Sequence, residues 1–362
     1  MSFSINIENK IISHYFKTQW DNTPNHRPII QALMKRGNVE KGVAGKNLVW
    51  NARVSRYTDE AYGIGSSMDI SEKRQTIQAN LPWAFLRMGD AITKEEMRMA
   101  SGPEALQKRQ GELCKNLYSD FEGRLNFHLL NTDGPASSEN KPYGLPSFLS
   151  ATFNGTAIAG VANDSYGGFS TALSALTGVD TPEADAWSPK FIDATASDWV
   201  GATDTFAVNG VKALSRMETE LTYGAKAGES PDMAIFTRTA YNELKELIIA
   251  SQQILFSSKP ENAPQGLGIP GGIVIGGLEV FFDTDMPVAT GYVLNSREAW
   301  LEILPASPVS FNGPALPGKG DGSDMFEVTT QSDIRTNGLG VRVDWAGQFR
   351  FNPRKHGKIK TA

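Results

Sequence analysis

Two glycine-rich segments, four histidines and two pairs of acids are the residues whose types and spacings could do chemistry in this chain. Gly266-Leu267-Gly268-Ile269-Pro270-Gly271 matches the bare GxGxxG of dinucleotide sites. That motif works only when a strand precedes it and a helix N-terminus follows, so that the pyrophosphate meets free N–H groups. Here a helical pattern and Pro264 lie upstream and the strand-like IVIGGLEVFF lies downstream, so the order is reversed. Gly313-Pro314-Ala315-Leu316-Pro317-Gly318-Lys319 begins like a phosphate loop, but Gly320 stands where Ser or Thr would hold magnesium, two prolines remove N–H donors, and no helical pattern follows. His14, His26, His128 and His356 show no i, i+4 pairing, and the single Cys114 cannot supply a zinc cluster. Asp283 with Asp285, and Asp321 with Asp324, fall in turn sequences, where Asp commonly bonds its local backbone. No GxSxG elbow occurs. The reading is of a chain that is not an enzyme, with no catalytic, cofactor or metal residues; an α+β hydrolase using Asp283 or Asp285 as its acid is the enzymatic alternative.

The elements that would have to position such groups suit a building block better. The most informative stretch is the end, MFEVTTQSDIRTNGLGVRVDWAGQFRFNPRKHGKIKT from Met325, with Phe326, Val328, Val341, Val343, Trp345, Phe349 and Phe351 at two-residue spacing around the Asn337-Gly338 turn. It predicts one long strand pair. Residues 47–56 alternate with Leu48, Trp50, Ala52 and Val54 on one face, and residues 74–86 place Ile77, Ala79, Leu81, Trp83 and Phe85 together, which predicts a hairpin. Its connection is too long for a tight turn, as functional loops are. Thr93-Lys94-Glu95-Glu96 is a capping box. After Ser101-Gly102-Pro103, the stripe Leu106, Leu113, Leu117, Phe121, Leu125 and Leu129 predicts a spine helix reaching Leu130. Residues 131–199 are rich in Gly, Ser, Thr, Ala and Pro and read as irregular loops and short strands. Beyond them come a helix over about 204–223, a strand Met233–Phe236 feeding a helix Thr239–Ile249, and a strand closed by Met286-Pro287. The fold class is α+β with a mixed sheet. Residues 1–45 read as an arm with a short helical pattern (Ile29, Ile30, Leu33, Met34) and little to bury internally.

At 362 residues, with 40% apolar residues, 35 Gly and 19 Pro, the chain has the composition of a loop-rich globular protein. The opening MSFSINIENK carries no basic-then-apolar leader, no apolar run approaches a membrane span, and one cysteine suits a reducing cytoplasm. The sequons at Asn154 and Asn163 then carry no meaning. The net charge of −5 conceals an uneven spread: residues 1–46 sum to +4 and residues 347–362 to +5, which leaves −14 on the body. Basic ends on an acidic body point to contact with nucleic acid or acidic neighbours.

These features, in this order, resemble the major capsid proteins of tailed bacteriophages, the shell fold named after phage Hong Kong ninety-seven and shared with herpesvirus shells and encapsulin nanocompartments. The matching stretches are Pro231-Asp232-Met233-Ala234-Ile235-Phe236-Thr237-Arg238-Thr239-Ala240-Tyr241, Gly277-Leu278-Glu279-Val280 into Met286-Pro287, and Trp345 to Arg354. The resemblance implies an N-terminal arm (1–45), an extended hairpin loop (46–92), a spine helix with the first part of a peripheral domain (93–140), an axial domain (141–324) and a peripheral return ribbon (325–362). It also implies a virion protein, made in the host cytoplasm, that assembles with itself as hexamers and pentamers of an icosahedral shell around double-stranded DNA held without sequence specificity. A separate scaffolding protein, a portal and optionally a decoration protein would be its partners, with no membrane and no cofactor. No position matches the lysine–asparagine cross-link of the type member, so noncovalent contacts are expected to hold the lattice. An encapsulin-like compartment is the alternative within the fold. A tail or baseplate adhesin would show internal repeats, and none is visible.

Charge on the hairpin then names the contacts. Arg53, Arg56, Lys73 and Arg74 are expected to meet acids of an adjacent subunit, and Asp59, Glu60, Asp69 and Glu72 to meet bases. Lys10, Lys17, Arg27, Lys35 and Arg36 of the arm are the residues expected to face packaged genome.

Overall fold

The computed structural model describes residues 27–43, 45–55, 75–99, 103–134, 140–153, 156–157, 161–162, 164–172, 176, 185–199, 205–222, 230–250, 273–305, 327–333 and 338–362. The chain divides into two compact units, one of residues 1–26, 87–123 and 306–345, the other of 27–86, 124–305 and 346–362. In chain order the strands are β1 (Val39–Lys41), β2 (Asn47–Arg53), β3 (Thr76–Pro82), β4 (Ala84–Thr93), β5 (Ala151–Thr152), β6 (Val161–Ala162), β7 (Ser165–Tyr166), β8 (Phe169–Ser170) and β9 (Lys190–Asp193). They continue with β10 (Met233–Phe236), β11 (Ile273–Ile275), β12 (Leu278–Phe282), β13 (Thr290–Leu294), β14 (Ala299–Ile303), β15 (Glu327–Asp333), β16 (Gly338–Phe351) and β17 (Gly357–Lys360). Helices span Pro28–Arg36, Lys94–Met99, Pro103–Asn131, Phe206–Leu221 and Arg238–Ala250.

A six-stranded mixed sheet, in the order β11-β12-β10-β13-β17-β9, carries the core of the second unit. Its central strands MAIF and TGYVL are buried at every residue, as strands covered on both faces must be. The amphipathic helices Phe206–Leu221 and Arg238–Ala250 contribute Leu214, Met217, Leu221, Ala240 and Leu244 to a cluster with Ala234, Phe236, Val280, Val293 and Ile359. Two glycines permit this closeness: a Cβ on Gly210 would come within 2.8 Å of Leu244 Cδ2, and one on Gly291 would run into the Phe236 ring.

The predicted arm helix is present over Pro28–Arg36, ended by Gly37 in the left-handed region, φ 72°, with capping bonds to Leu33 and Met34 carbonyls. The expectation that the arm buries little fails here, because Ile29, Ile30, Ala32 and Leu33 are buried within the second unit. Four apolar residues on one helical face find a core whether or not the flanking sequence is polar.

Hairpin β2–β3 forms as predicted, with Trp50 opposite Ala79 and Ala52 opposite Ile77. Its inner residues Leu48, Ile77, Ala79 and Leu81 are buried. They face the β7–β8 turn, where Asn80 N–H donates to the Gly167 carbonyl at 3.0 Å and the Trp50 and Tyr166 rings lie 6.0 Å apart. The base of the hairpin is therefore docked on its own unit, while the connection over 56–74 lies outside the described residues. Phe85 departs from its expected place with Trp83. The chain bends at Trp83, whose indole donates to the Gly45 carbonyl at 2.9 Å, and pairing restarts in β4 with the alternation slipped by one residue. Ala84 turns inward and Phe85 is 59% exposed. A slip of one reverses every side chain that follows it.

The spine is a helix of 29 residues, roughly 43 Å long at 1.5 Å per residue. Leu113, Leu117 and Phe121 are buried in the first unit, and Leu125 and Leu129 in the second. In the first unit β15 pairs antiparallel with residues 338–344 of β16, and Asp344 accepts from Arg87 at 2.7 Å and from Arg342 at 2.6 Å. In the second, residues 347–351 of β16 pair with β14, and β14 pairs in parallel with β1. The final residues leave the expected ribbon. Pro353 cannot donate a ladder bond, a single 3-10 turn over Pro353–Lys355 redirects the chain, and β17 enters the six-stranded sheet between β13 and β9 with Ile359 in the core.

Candidate inter-subunit surfaces

Hairpin β2–β3 presents a second face, formed by the residues that alternate with the buried row. Thr76, Gln78, Asn80 and Pro82 of β3 are all exposed, as are Val49, Asn51 and Arg53 of β2. This face holds amides, a hydroxyl and one 49% exposed valine, with its one charge, Arg53, at the end that leads into the connection. Nothing on it can move a proton or attack a carbonyl; it offers hydrogen-bonding groups and a small apolar contact. Arg53 Nε donates to the Ser55 carbonyl at 3.2 Å. Arg56, Asp59, Glu60, Asp69, Glu72, Lys73 and Arg74 lie outside the described residues.

The basic arm residues separate by environment. Arg27 is buried and Lys35 is exposed, whereas Arg36 forms an ion pair with Asp232. Asp232 also accepts from Ser296 N–H at 2.8 Å and from its hydroxyl at 2.7 Å. Next to it the buried Asn38 amide donates to the Ser296 carbonyl at 2.7 Å and to the Ala299 carbonyl at 3.0 Å. Together these bonds fasten the arm helix to the strand ends around Ser296. Lys10 and Lys17 lie outside the described residues.

The groups that could have supported catalysis are structural where they are described. Asp283 is 2% exposed, accepts from Asp285 N–H at 2.9 Å and from Asn126 Nδ2 at 3.0 Å, and thereby ties the spine helix to the turn after β12. Burial pushes its carboxyl up to about 6 against the pull of those two hydrogen bonds. Asp285 receives Asn126 Nδ2 at 3.2 Å, and its carbonyl accepts from Asn131 at 2.7 Å. A carboxyl sealed in this way cannot reach a substrate. His356 is fully buried among Phe148 and Phe351, and desolvation lowers it to about 3, so it is neutral. His128 Nδ1 lies 3.0 Å from the Thr132 hydroxyl. His14, His26, Asp321, Asp324 and both glycine-rich segments lie outside the described residues. Among the described residues no group of three His, Cys, Asp or Glu could hold a metal, and no helix is long and apolar enough to cross a membrane.

Sequence reasoning missed the polar residues that hold the elements together: Asn38, Asn126, Asp232, Ser296 and the buried Glu302, which meets Arg350 at 2.9 Å. Asn126, between Leu125 and Phe127 in an otherwise leucine-striped helix, was the legible signal. The rest sit where only the fold brings a partner.

No family model matches this sequence, and no curated protein matches it. Solved structures do. The chain is similar to a protein in the cyanophage A-1(L) capsid asymmetric unit, with TM-score 0.63 and 14% identity over 95% of both chains. It is similar to the capsid protein of the native GTA particle, with TM-score 0.54 and 12% identity over 96% of both chains. The empty GTA particle capsid gives TM-score 0.57 and 11% identity, covering 96% of this chain and 100% of that one. At these identities the shared property is the fold, an α+β capsid fold that runs through nearly the whole chain.

Proposed function

We propose that this chain is a major capsid protein, not an enzyme, that self-assembles into hexamers and pentamers of an icosahedral shell enclosing double-stranded DNA. The observation that carries the reading is coverage: a chain from a cyanophage capsid is matched over 95% of both chains at TM-score 0.63, so the capsid fold accounts for nearly all the residues given. The outer face of β2–β3 agrees with it. A ribbon buried on one side and polar on the other suits a surface laid over a neighbour. The charges expected on the hairpin connection would set which neighbour it grips. Exposed ion pairs contribute about 0–1 kcal/mol each, so such a shell gains strength by repeating one contact around closed symmetry, and weak single contacts let misplaced subunits leave.

The same reading gives the protein a scaffolding protein and portal as partners, and its place in the virion. Lys35 is exposed and joins Lys10 and Lys17 as a candidate for genome phosphates, whereas Arg36 is engaged by Asp232. Negative-stain microscopy of the overexpressed chain, with nucleic acid quantified in the purified particles, tests the function. Closed shells or capsomers are the expected result. A monodisperse monomer at every salt concentration and in the presence of its scaffolding protein would overturn it, and particles carrying a protein cargo in place of nucleic acid would assign an encapsulin-like compartment.

A further inference from the structure

The three-residue strand β1 is the edge of its sheet, and its parallel register with β14 sets Glu40 directly opposite Glu302. The parallel register points both side chains to one face of the sheet. Register therefore sets the two carboxyl groups beside each other, and such a pair can hydrogen-bond only if one of them carries a proton. Glu302 is 1% exposed, and neither of its oxygens has an aligned hydrogen-bond donor among the described residues. Arg350 of β16 stands 2.9 Å from Oε1 as an ion pair, while its guanidinium lies over the Trp300 ring at 5.2 Å.

The charged groups acting on Glu302 are therefore Arg350 from β16 and Glu40 from β1. The arm helix also packs against β14, but it brings only Lys35, which is exposed, and Arg36, which is bound to Asp232. Lys41 is in register with Ile303, on the opposite face. The register and the ion pair thus set two carboxyl groups, one of them on the edge strand, beside one arginine.

We propose that Glu40 and Glu302 form a proton-operated latch that holds β1, and with it the connection between the arm helix and the hairpin, against β14 when the pair shares a proton and frees it when both ionise. The sign follows from the direction of the shift. Burial, opposed by Arg350 and reinforced by Glu40, raises the Glu302 carboxyl to about 7, well above the usual carboxylate range. A carboxyl raised in the folded state contributes fully below its ordinary value, loses that contribution as pH rises to the raised value, and adds no further change above it. Acid closes the latch, and it opens as pH rises towards 7.

Hydrogen exchange of the full-length chain tests this, reading protection factors for amides 39–43 with intrinsic exchange corrected at each pH. In the wild type, protection of that segment falls by up to about tenfold per pH unit between about pH 5 and 7 and is constant above, while the amides of β10 and β13 keep theirs. Glu302→Gln mimics the protonated carboxyl and holds protection flat from about pH 5 to 8. Glu40→Gln removes the opposing charge and also flattens the profile, and because Glu40 is exposed this variant carries little risk to folding. A wild-type profile already flat, or one that keeps its slope in Glu40→Gln, overturns the latch. The readout does not depend on particle formation, so it stands or falls separately from the capsid reading.

Discussion

The six-stranded sheet and the β2–β3 hairpin answer different demands with the same kind of strand. β10 and β13 are buried at every position, and their outermost polar neighbours are tied down by bonds such as Asp232 to Ser296. β3 is buried at every second position only, and its other row stays in solvent. A strand covered on both faces stores stability in the subunit. One covered on a single face keeps half its side chains available to something outside. The difference teaches where stability and assembly separate in this molecule: mutations in the sheet should be read by melting, and mutations in the outer hairpin by particle formation.

The largest expected effect tests the first half of that contrast. Ile235→Ala in the central strand removes a fully buried side chain from a site with little room to collapse and should cost about 3–4 kcal/mol, measured by urea denaturation. A loss under about 1 kcal/mol would mean that the sheet is not where stability resides.

A smaller effect, of opposite sign, comes from Asp283. Its raised carboxyl means that ionisation opposes folding: the penalty is absent below the ordinary Asp value, grows between about pH 4 and 6, and is constant above. Asp283→Asn retains an acceptor for the Asp285 N–H and should stabilise the protein by about 2 kcal/mol at pH 7.5 while changing it little at pH 3.5. Thermal melts across that range give the answer, and a variant destabilised at every pH would show that the carboxylate is instead held by a charge partner.

The smallest effect on stability is expected at the hairpin. If the hairpin charges serve assembly and not folding, Arg56→Glu with Arg74→Glu should leave the melting temperature within about 2 °C of wild type, yet suppress assembly at low salt, with partial recovery as salt screens the new repulsion. Normal particles at every salt concentration would remove the hairpin charges from the interface, and the contrast drawn above would then rest on the uncharged face around Val49 alone.

Much of this fold was legible because periodicity reports local structure. The leucine spacing from Leu113 to Leu129 found the spine, the alternation of Leu48 to Val54 found a strand of the hairpin, and the run Met233 to Phe236 found a buried strand. The errors share a cause. Phe85 was read as continuing a pattern that one bend at Trp83 displaced, and residues 357–360 as continuing a ribbon that a proline turn ended. The candidate sites were less legible. Arg36, expected from sequence to face genome, is engaged by Asp232, which lies 196 residues away.

What the sequence determined alone was the spine, the arm helix, the hairpin, the strand Met233–Phe236 and the mismatch of the glycine-rich segments to nucleotide loops, since helix and strand periods, turn residues and motif order are properties of neighbours along the chain. Only the tertiary structure decided which strands pair, where the last strand goes, and which charges are already engaged. Those outcomes depend on partners brought together from distant parts of the chain, and burial, which sets the behaviour of Asp283, His356 and Glu302, exists only after such partners have met.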